Sequence, residues 1–325
     1  MNYIQQGYKG KSDWIYWLIT ILVVFFGWQI LGGIPLLAVA FAYSENLEAF
    51  TNASLNNFMS LGIDKNLFLF LMIFTFVVGF VFLFFSIKII HNRTFTSLVT
   101  SRNNIDWKRF WVGFLTWGTL VVILTFIGVL IEPEIYTYNF NAKPFFILVA
   151  ISIIMLPLQT SLEELLFRGY FMQGIGILAK NRWVPLLITS VCFGLLHGAN
   201  PEVEKLGYIL MVFYIGTGLF YGITTLMDEG TELALGLHAA NNVLAAFLVT
   251  TDWMVFQTDA LFIDTSEPNV TLEMFLPVIV LYPLMLLFFS KKYAWTNWKE
   301  KLTGAIERPI SAEENDKIVE GLGKE

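Results

Sequence analysis

The chain has 325 residues, of which 56% are hydrophobic and 14% charged, with a mean hydropathy of +0.64, whereas soluble domains carry about 25% charged residues. That balance excludes a water-soluble globular fold, and the formal net charge of -6 argues against a nucleic-acid partner. The single cysteine, Cys192, allows no intramolecular disulfide and reads, in its apolar run, as a small buried core residue.

Crossing ~30 Å of hydrocarbon takes about 20 apolar residues as helix, and only helices or closed barrels satisfy their backbone there. The apolar runs here are too long for barrel strands. The first, 14–42, is also too long for a secretory leader and lacks a small-residue cleavage site, so it is expected to remain as a span. Further runs follow at 66–90, 110–131, 145–178, 183–198, 206–227, 233–251 and 272–290. The expected fold is all-α, a polytopic membrane helix bundle of about eight transmembrane helices. Residues 1–13 form an N-terminal segment, 14–290 the membrane domain and 291–325 a charged tail, with no internal repeat and no linker to a second domain. The run 145–178 amounts to ~51 Å of helix, too long for one ordinary span. Pro157 offers a kink in it, and Gly169, Gly174 and Gly176 a way for its end to turn into the interface.

Lysine and arginine collect on the segments that share a side with the N-terminus. These hold Lys9 and Lys11; Lys88, Arg93, Arg102, Lys108 and Arg109; Arg168, Lys180 and Arg182; and the tail residues from Lys291 to Lys324. Only Lys65, Lys143 and Lys205 fall on the other side, whose loops are acidic from Glu45 to Glu267. By the positive-inside rule both termini are cytoplasmic. His91, beside Asn92 and Arg93, reads as a solvated loop histidine.

An ionised side chain at the bilayer centre costs at least ~2.5 kcal/mol on insertion scales, which makes intramembrane charges candidates for function. The second half of the chain concentrates them. Glu163, Glu164 and Arg168 lie inside an apolar stretch from Phe145 to Leu178. Glu164 and Arg168 are i,i+4 neighbours, which leaves Glu163 to point elsewhere. His197 ends the fifth run, and counting from the turn at Lys180–Arg182 places it level with Glu163 on the facing helix. His238 and Asn242, also i,i+4, share one face of the seventh run. Each group also fits a purely structural role, as an ion pair or as hydrogen bonds between helices.

Together these residues suit hydrolysis. A glutamate in a low-dielectric pocket can take a proton from water, and histidine and asparagine donors can stabilise the oxyanion formed when that water attacks an amide. There is no His-Glu-x-x-His, yet Glu163, His197 and His238 also make a His₂Glu set of the kind that holds catalytic zinc. Serine or cysteine catalysis is disfavoured, because Ser161 has no histidine at helical spacing and Cys192 faces away from His197.

The motifs read Glu163-Glu164-x-x-x-Arg168, Phe193-x-x-x-His197 and His238-x-x-x-Asn242, in that order and all within 160–245. They resemble those of the CAAX-protease and bacteriocin-processing (CPBP, or Abi) intramembrane proteases, which include the Rce1-type CAAX prenyl endopeptidase. The resemblance implies an eight-helix membrane protein of a bacterial cell membrane that cuts a peptide bond near the cytoplasmic surface. It implies Glu163 as the base, His197 beside it, His238 and Asn242 as the oxyanion site, and Glu164 and Arg168 as support, with no cofactor or, alternatively, zinc. The implied partners are the lipid bilayer and a peptide or protein substrate, lipidated or membrane-anchored. Two other classes fit a set of buried polar residues: a transporter or proton relay, and a non-enzymatic membrane scaffold. Intact motifs argue against the scaffold, and the lack of repeats and of paired broken helices argues against the transporter.

Overall fold

The computed structural model describes residues 1–55 and 58–309. Every apolar run is helical: α1 (Trp14–Tyr43), α2 (Lys65–Ile89), α3 (Trp107–Ile131), α4 (Ala142–Ala179), α5 (Trp183–Ala199), α6 (Tyr208–Asp228), α7 (Glu232–Leu248) and α8 (Leu272–Lys292). Six are long and apolar enough to cross a membrane, while α5 and α7 are shorter. The outer faces expose Leu22, Phe41, Leu130, Ile154 and Leu195, a surface suited to lipid. The chain is an integral, multi-pass helical membrane protein.

The shorter α7 lies at the centre of the bundle, with Leu233, Leu237, Ala239 and Ala240 fully buried. Small residues let its neighbours come close, which is how helices pack where lipid supplies no hydrophobic drive. A Cβ on Gly236 would overlap the Phe110 carbonyl oxygen, and one on Gly113 would stand 2.5 Å from the Leu233 carbonyl oxygen. The backbones of α3 and α7 therefore meet at two glycines.

Helix α4 runs unbroken for 38 residues, ~57 Å, as α-helix from Ala142 to Glu164, a π-helical stretch Leu165–Phe171 and a final α-helical part to Ala179. The expected turn at its glycines is absent. Gly174 and Gly176 instead make room for incoming chain, since a Cβ there would meet the Trp17 ring at 2.7 Å and Ile4 at 2.6 Å. The helix ends at Lys180, in the left-handed conformation with φ 54°.

Both ends of the described chain dock on one face. The Tyr3 hydroxyl donates to the Leu98 carbonyl at 2.7 Å, the Ile306 amide to the Lys180 carbonyl at 2.9 Å, and Arg182 pairs with Glu229 at 3.5 Å. Arg102 pairs with Asp228 at 3.0 Å and Glu232 at 3.1 Å, and Arg109 also pairs with Asp228. Trp295 and Ile306 are buried against this face, and the part of the expected tail beyond 309 lies outside the described residues. On the opposite face three short strands form a sheet of order β1 (Tyr136–Tyr138), β3 (Phe262–Asp264), β2 (Val249–Thr250), antiparallel for the first pair and parallel for the second. Strand β2 continues directly from α7.

Two expectations are corrected. Cys192 is exposed, because it sits on the outward face of α5, where lipid accepts a thiol as readily as a core does. His91 is buried rather than solvated. Its Nδ1–H donates to the Lys11 carbonyl at 2.8 Å, its Nε2 lies 2.9 Å from the Tyr170 hydroxyl, which itself donates to the Trp17 carbonyl at 2.9 Å, and the Trp17 ring packs edge-on at 4.8 Å. Burial, with Arg93 adding repulsion against the Lys11 bond, lowers its pKa from 6.5 to about 4. The unfolded chain thus takes up this proton at higher pH than the folded one. His91 contributes stability above pH 6.5 that is lost as pH falls toward 4. The apparent melting temperature in detergent is expected to drop more steeply across that window in wild type than in His91→Gln.

Candidate functional site

Glu163 and Glu164 are the last residues of the α-helical part of α4 before its π stretch, a feature common at functional sites. Neighbouring helical positions point about 100° apart, so Glu164 turns into the packed interior while Glu163 faces a cavity. Arg168 and Glu164 are both fully buried, with Nη1 donating to Oε1 at 2.9 Å. Arg168 Nη2 donates to the Gly218 carbonyl at 3.1 Å, and the guanidinium lies over the Phe193 ring at 4.2 Å. Counted in the sequence with the basic cytoplasmic segments, Arg168 belongs instead to the interior of α4.

His238 joins the pair from α7. Its Nδ1 is 2.9 Å from the same Glu164 Oε1, and its Nε2 is 3.5 Å from Glu163 Oε2. A carboxylate accepts, so Nδ1 carries the hydrogen and Nε2 is left toward Glu163. His197 is held in the same sense: its Nδ1–H donates to the Phe193 carbonyl at 2.8 Å, leaving Nε2 without a partner among the described residues. Its ring stacks on Tyr214 with centroids 4.5 Å apart. Both imidazoles thus spend Nδ1 on a fixed acceptor and keep Nε2.

Asn242 ends a chain of directed hydrogen bonds. The Trp117 indole N–H, which can only donate, reaches Asn241 Oδ1 at 3.2 Å. The amino group of Asn241 must then face Asn242 Oδ1, at 3.1 Å, and the amino group of Asn242 faces Gln159 Oε1, at 3.0 Å. The indole fixes which end of each amide points which way.

Glu163, His197, His238 and Asn242 line one cavity of about 280 Å³, together with Gln159, Asn241 and the apolar residues Met72, Ile73 and Phe76. The cavity also reaches Asn200, Glu202, Met254, Val255 and Phe256, on the face opposite the termini. On the side of the termini the floor of the cavity is the buried Glu164–Arg168 pair with Phe167, Phe193 and Tyr221.

Residues 142–244 match the family model described as Type II CAAX prenyl endopeptidase Rce1-like. The match covers about a third of the chain. A Bacillus subtilis (strain 168) protein named Uncharacterized protein YyaK is 34% identical over 166 residues, 51% of this chain and 56% of that protein. The chain therefore spans about half the length of that curated relative. No solved structure matches it.

The matched region contains all seven motif residues, and α2, Tyr282 of α8 and the segment at 254–256 complete the walls from outside it. Among the described residues no three His, Cys, Asp or Glu side chains converge to hold a metal ion. The set Glu163, His197 and His238 does not fit such a site here, because only Glu163 and His238 face one another.

Sequence reasoning missed Gln159, Trp117, Asn241, Tyr214 and Glu202. Gln159 was within reach, since it stands four residues before Glu163 on the same helical face. Glu202, grouped with the acidic outer loops, is in fact buried.

Removing one partner of a buried ion pair strands the other, at a cost of about 3–5 kcal/mol. Arg168→Met is expected to lower thermal stability in detergent by that order, and Glu164→Gln/Arg168→Met to recover more than half of the loss. Additive losses in the double variant would contradict the pairing.

Proposed function

We propose that this protein is an intramembrane endopeptidase in which Glu163 activates water. The observation that carries the reading is the convergence of Glu163, His197, His238 and Asn242, from three helices, on one cavity whose floor is a buried ion pair. The Rce1-like match over the same residues supports it.

Water held by Glu163 in the cavity that His197 also lines loses a proton to the Glu163 carboxylate as its oxygen bonds to the scissile carbonyl carbon. The negative charge on the former carbonyl oxygen is met by His238 and Asn242. His238 works here as the imidazolium, Nδ1–H on Glu164 and Nε2–H on the oxyanion. Collapse of the tetrahedral intermediate breaks the C–N bond, and Glu163 returns its proton to the leaving amine. Arg168 holds Glu164, and Glu164 holds His238. The amide chain from Trp117 turns the Asn242 amino group toward the cavity. The apolar wall of Met72, Ile73 and Phe76 suits a membrane-anchored peptide, lipidated or not. No step passes through a metal.

The test is cleavage of a panel of membrane-anchored and prenylated peptides by purified protein. Glu163→Gln and His197→Ala are each expected to lower turnover by about 10²-fold or more, and wild type to keep its activity in a strong chelator. Loss of activity with chelator would move Glu163, His197 and His238 to zinc ligands, and cleavage unchanged by both substitutions would overturn the site.

Trp117→Phe keeps the ring and removes the donor that orients the amides. Its kcat should fall by roughly ten-fold with KM unchanged, a fraction of the 10²–10³ that a lost oxyanion donor costs. An unchanged kcat would show that Asn242 needs no such orientation.

A further inference from the structure

The cavity has a direction. Its lining outside the helix interiors comes from the segments that join α5 to α6 and α7 to α8, through Asn200, Glu202, Met254, Val255 and Phe256. These lie with the three-stranded sheet, on the face opposite both termini. Toward the terminal face the way is closed by Glu164, Arg168 and Tyr170, all fully buried. The short helices α5 and α7 fit this arrangement: α5 gives way to a single 3₁₀ turn at His197, so its polar end stops below the outer segments.

The mouth is latched. Glu202 is 3% exposed yet carries three donors on its carboxylate. Oε1 accepts from the Asn200 amide at 2.9 Å and from the Tyr214 hydroxyl, and Oε2 accepts from the Val255 backbone N–H at 3.1 Å. The last bond holds the segment around Met254–Phe256 across the cavity. Tyr214 stacks on His197, so the latch touches the site it covers.

The latched face is poor in basic residues: Lys65, Lys143 and Lys205 are the lysines there, while the terminal face carries Lys9, Lys11, Arg102, Arg109, Lys180 and Arg182. We propose that the peptide enters from the extracytoplasmic side, beneath the segment around Val255 that Glu202 holds shut. Membrane-spanning proteins keep their lysines and arginines on the cytoplasmic side, which makes the latched face the outer one. The substrate is then a peptide presented at the outer membrane surface. The nature of the entering molecule rests on the peptidase reading; the face and the latch do not.

The test reads access rather than catalysis, so an inactive protein leaves it intact. In a Cys192→Ser background, single cysteines are placed at Ala245 in the cavity wall, at Glu134 on the sheet face and at Lys9 on the terminal face. They are then treated with a membrane-impermeant maleimide in spheroplasts and in inverted vesicles. Ala245→Cys and Glu134→Cys are expected to label in spheroplasts, and Lys9→Cys in inverted vesicles alone. Adding Glu202→Ala, or the milder Tyr214→Phe, should speed labelling of Ala245→Cys several-fold and leave Glu134→Cys unchanged. Labelling of Ala245→Cys together with Lys9→Cys would overturn the direction of the cavity. Labelling of Glu134→Cys from the cytoplasmic side would overturn the sidedness. An Ala245→Cys rate unmoved by both latch variants would overturn the latch.

Discussion

The buried ion pair between Glu164 and Arg168 is the constraint around which the bundle is arranged. Two charges taken out of water cost several kcal/mol each, and their attraction offsets this only with good geometry and further hydrogen bonds to the remaining donors and acceptors. Four helices supply partners to the pair, leaving Glu164 Oε2 and Arg168 Nε without one among the described residues. Helix α4 contributes both ions, α5 the Phe193 face beneath the guanidinium, α6 the Gly218 carbonyl and α7 the His238 Nδ1–H. Gly218 shows how tightly this is set: a Cβ there would stand 2.7 Å from the Ser190 carbonyl oxygen, so α5 and α6 approach too closely for any side chain at that point. The pair itself is made within α4, but its further partners lie on three other helices and meet it only in the assembled bundle. It therefore selects one packing among the many that apolar helices allow.

The helices were legible in the sequence because lipid demands long apolar runs, and such runs are visible without knowing what they touch. The i,i+4 link from Glu164 to Arg168, and the shared face of His238 and Asn242, were legible for the same reason: both are properties of a single helix. What spacing cannot supply is the neighbour from another helix. Trp117 and Asn241 are 124 positions apart, and nothing in either local sequence indicates that one indole orients the other's amide. Glu202 looked like a solvated acid because its surroundings are polar in sequence, yet the chain folds Asn200, Tyr214 and Val255 around it. His91 and Cys192 were misjudged for a related reason. A loop histidine is buried here by the N-terminal segment docking on it, and a residue within a membrane helix is as readily outward as inward.

Hydrolysis inside a bilayer requires water where lipid denies it, and the geometry meets that requirement by depth and by wall chemistry. Were α5 and α7 as long as α4, their ends would fill the space in which His197, Asn242 and Glu163 meet. Stopping short leaves a cavity whose lower half is polar and whose side wall toward α2, made by Met72, Ile73 and Phe76, is apolar. Glu163 Oε2 is buried and has no hydrogen-bond partner among the described residues, with His238 Nε2 at 3.5 Å. A buried carboxylate oxygen left in this state is costly; Glu164 Oε2 also has no partner among the described residues, but Glu164 is held at Oε1 by Arg168 and His238, whereas Glu163 lines the cavity. Adjacent on one helix, the two glutamates thus divide between them the tasks of holding the bundle together and of meeting a ligand.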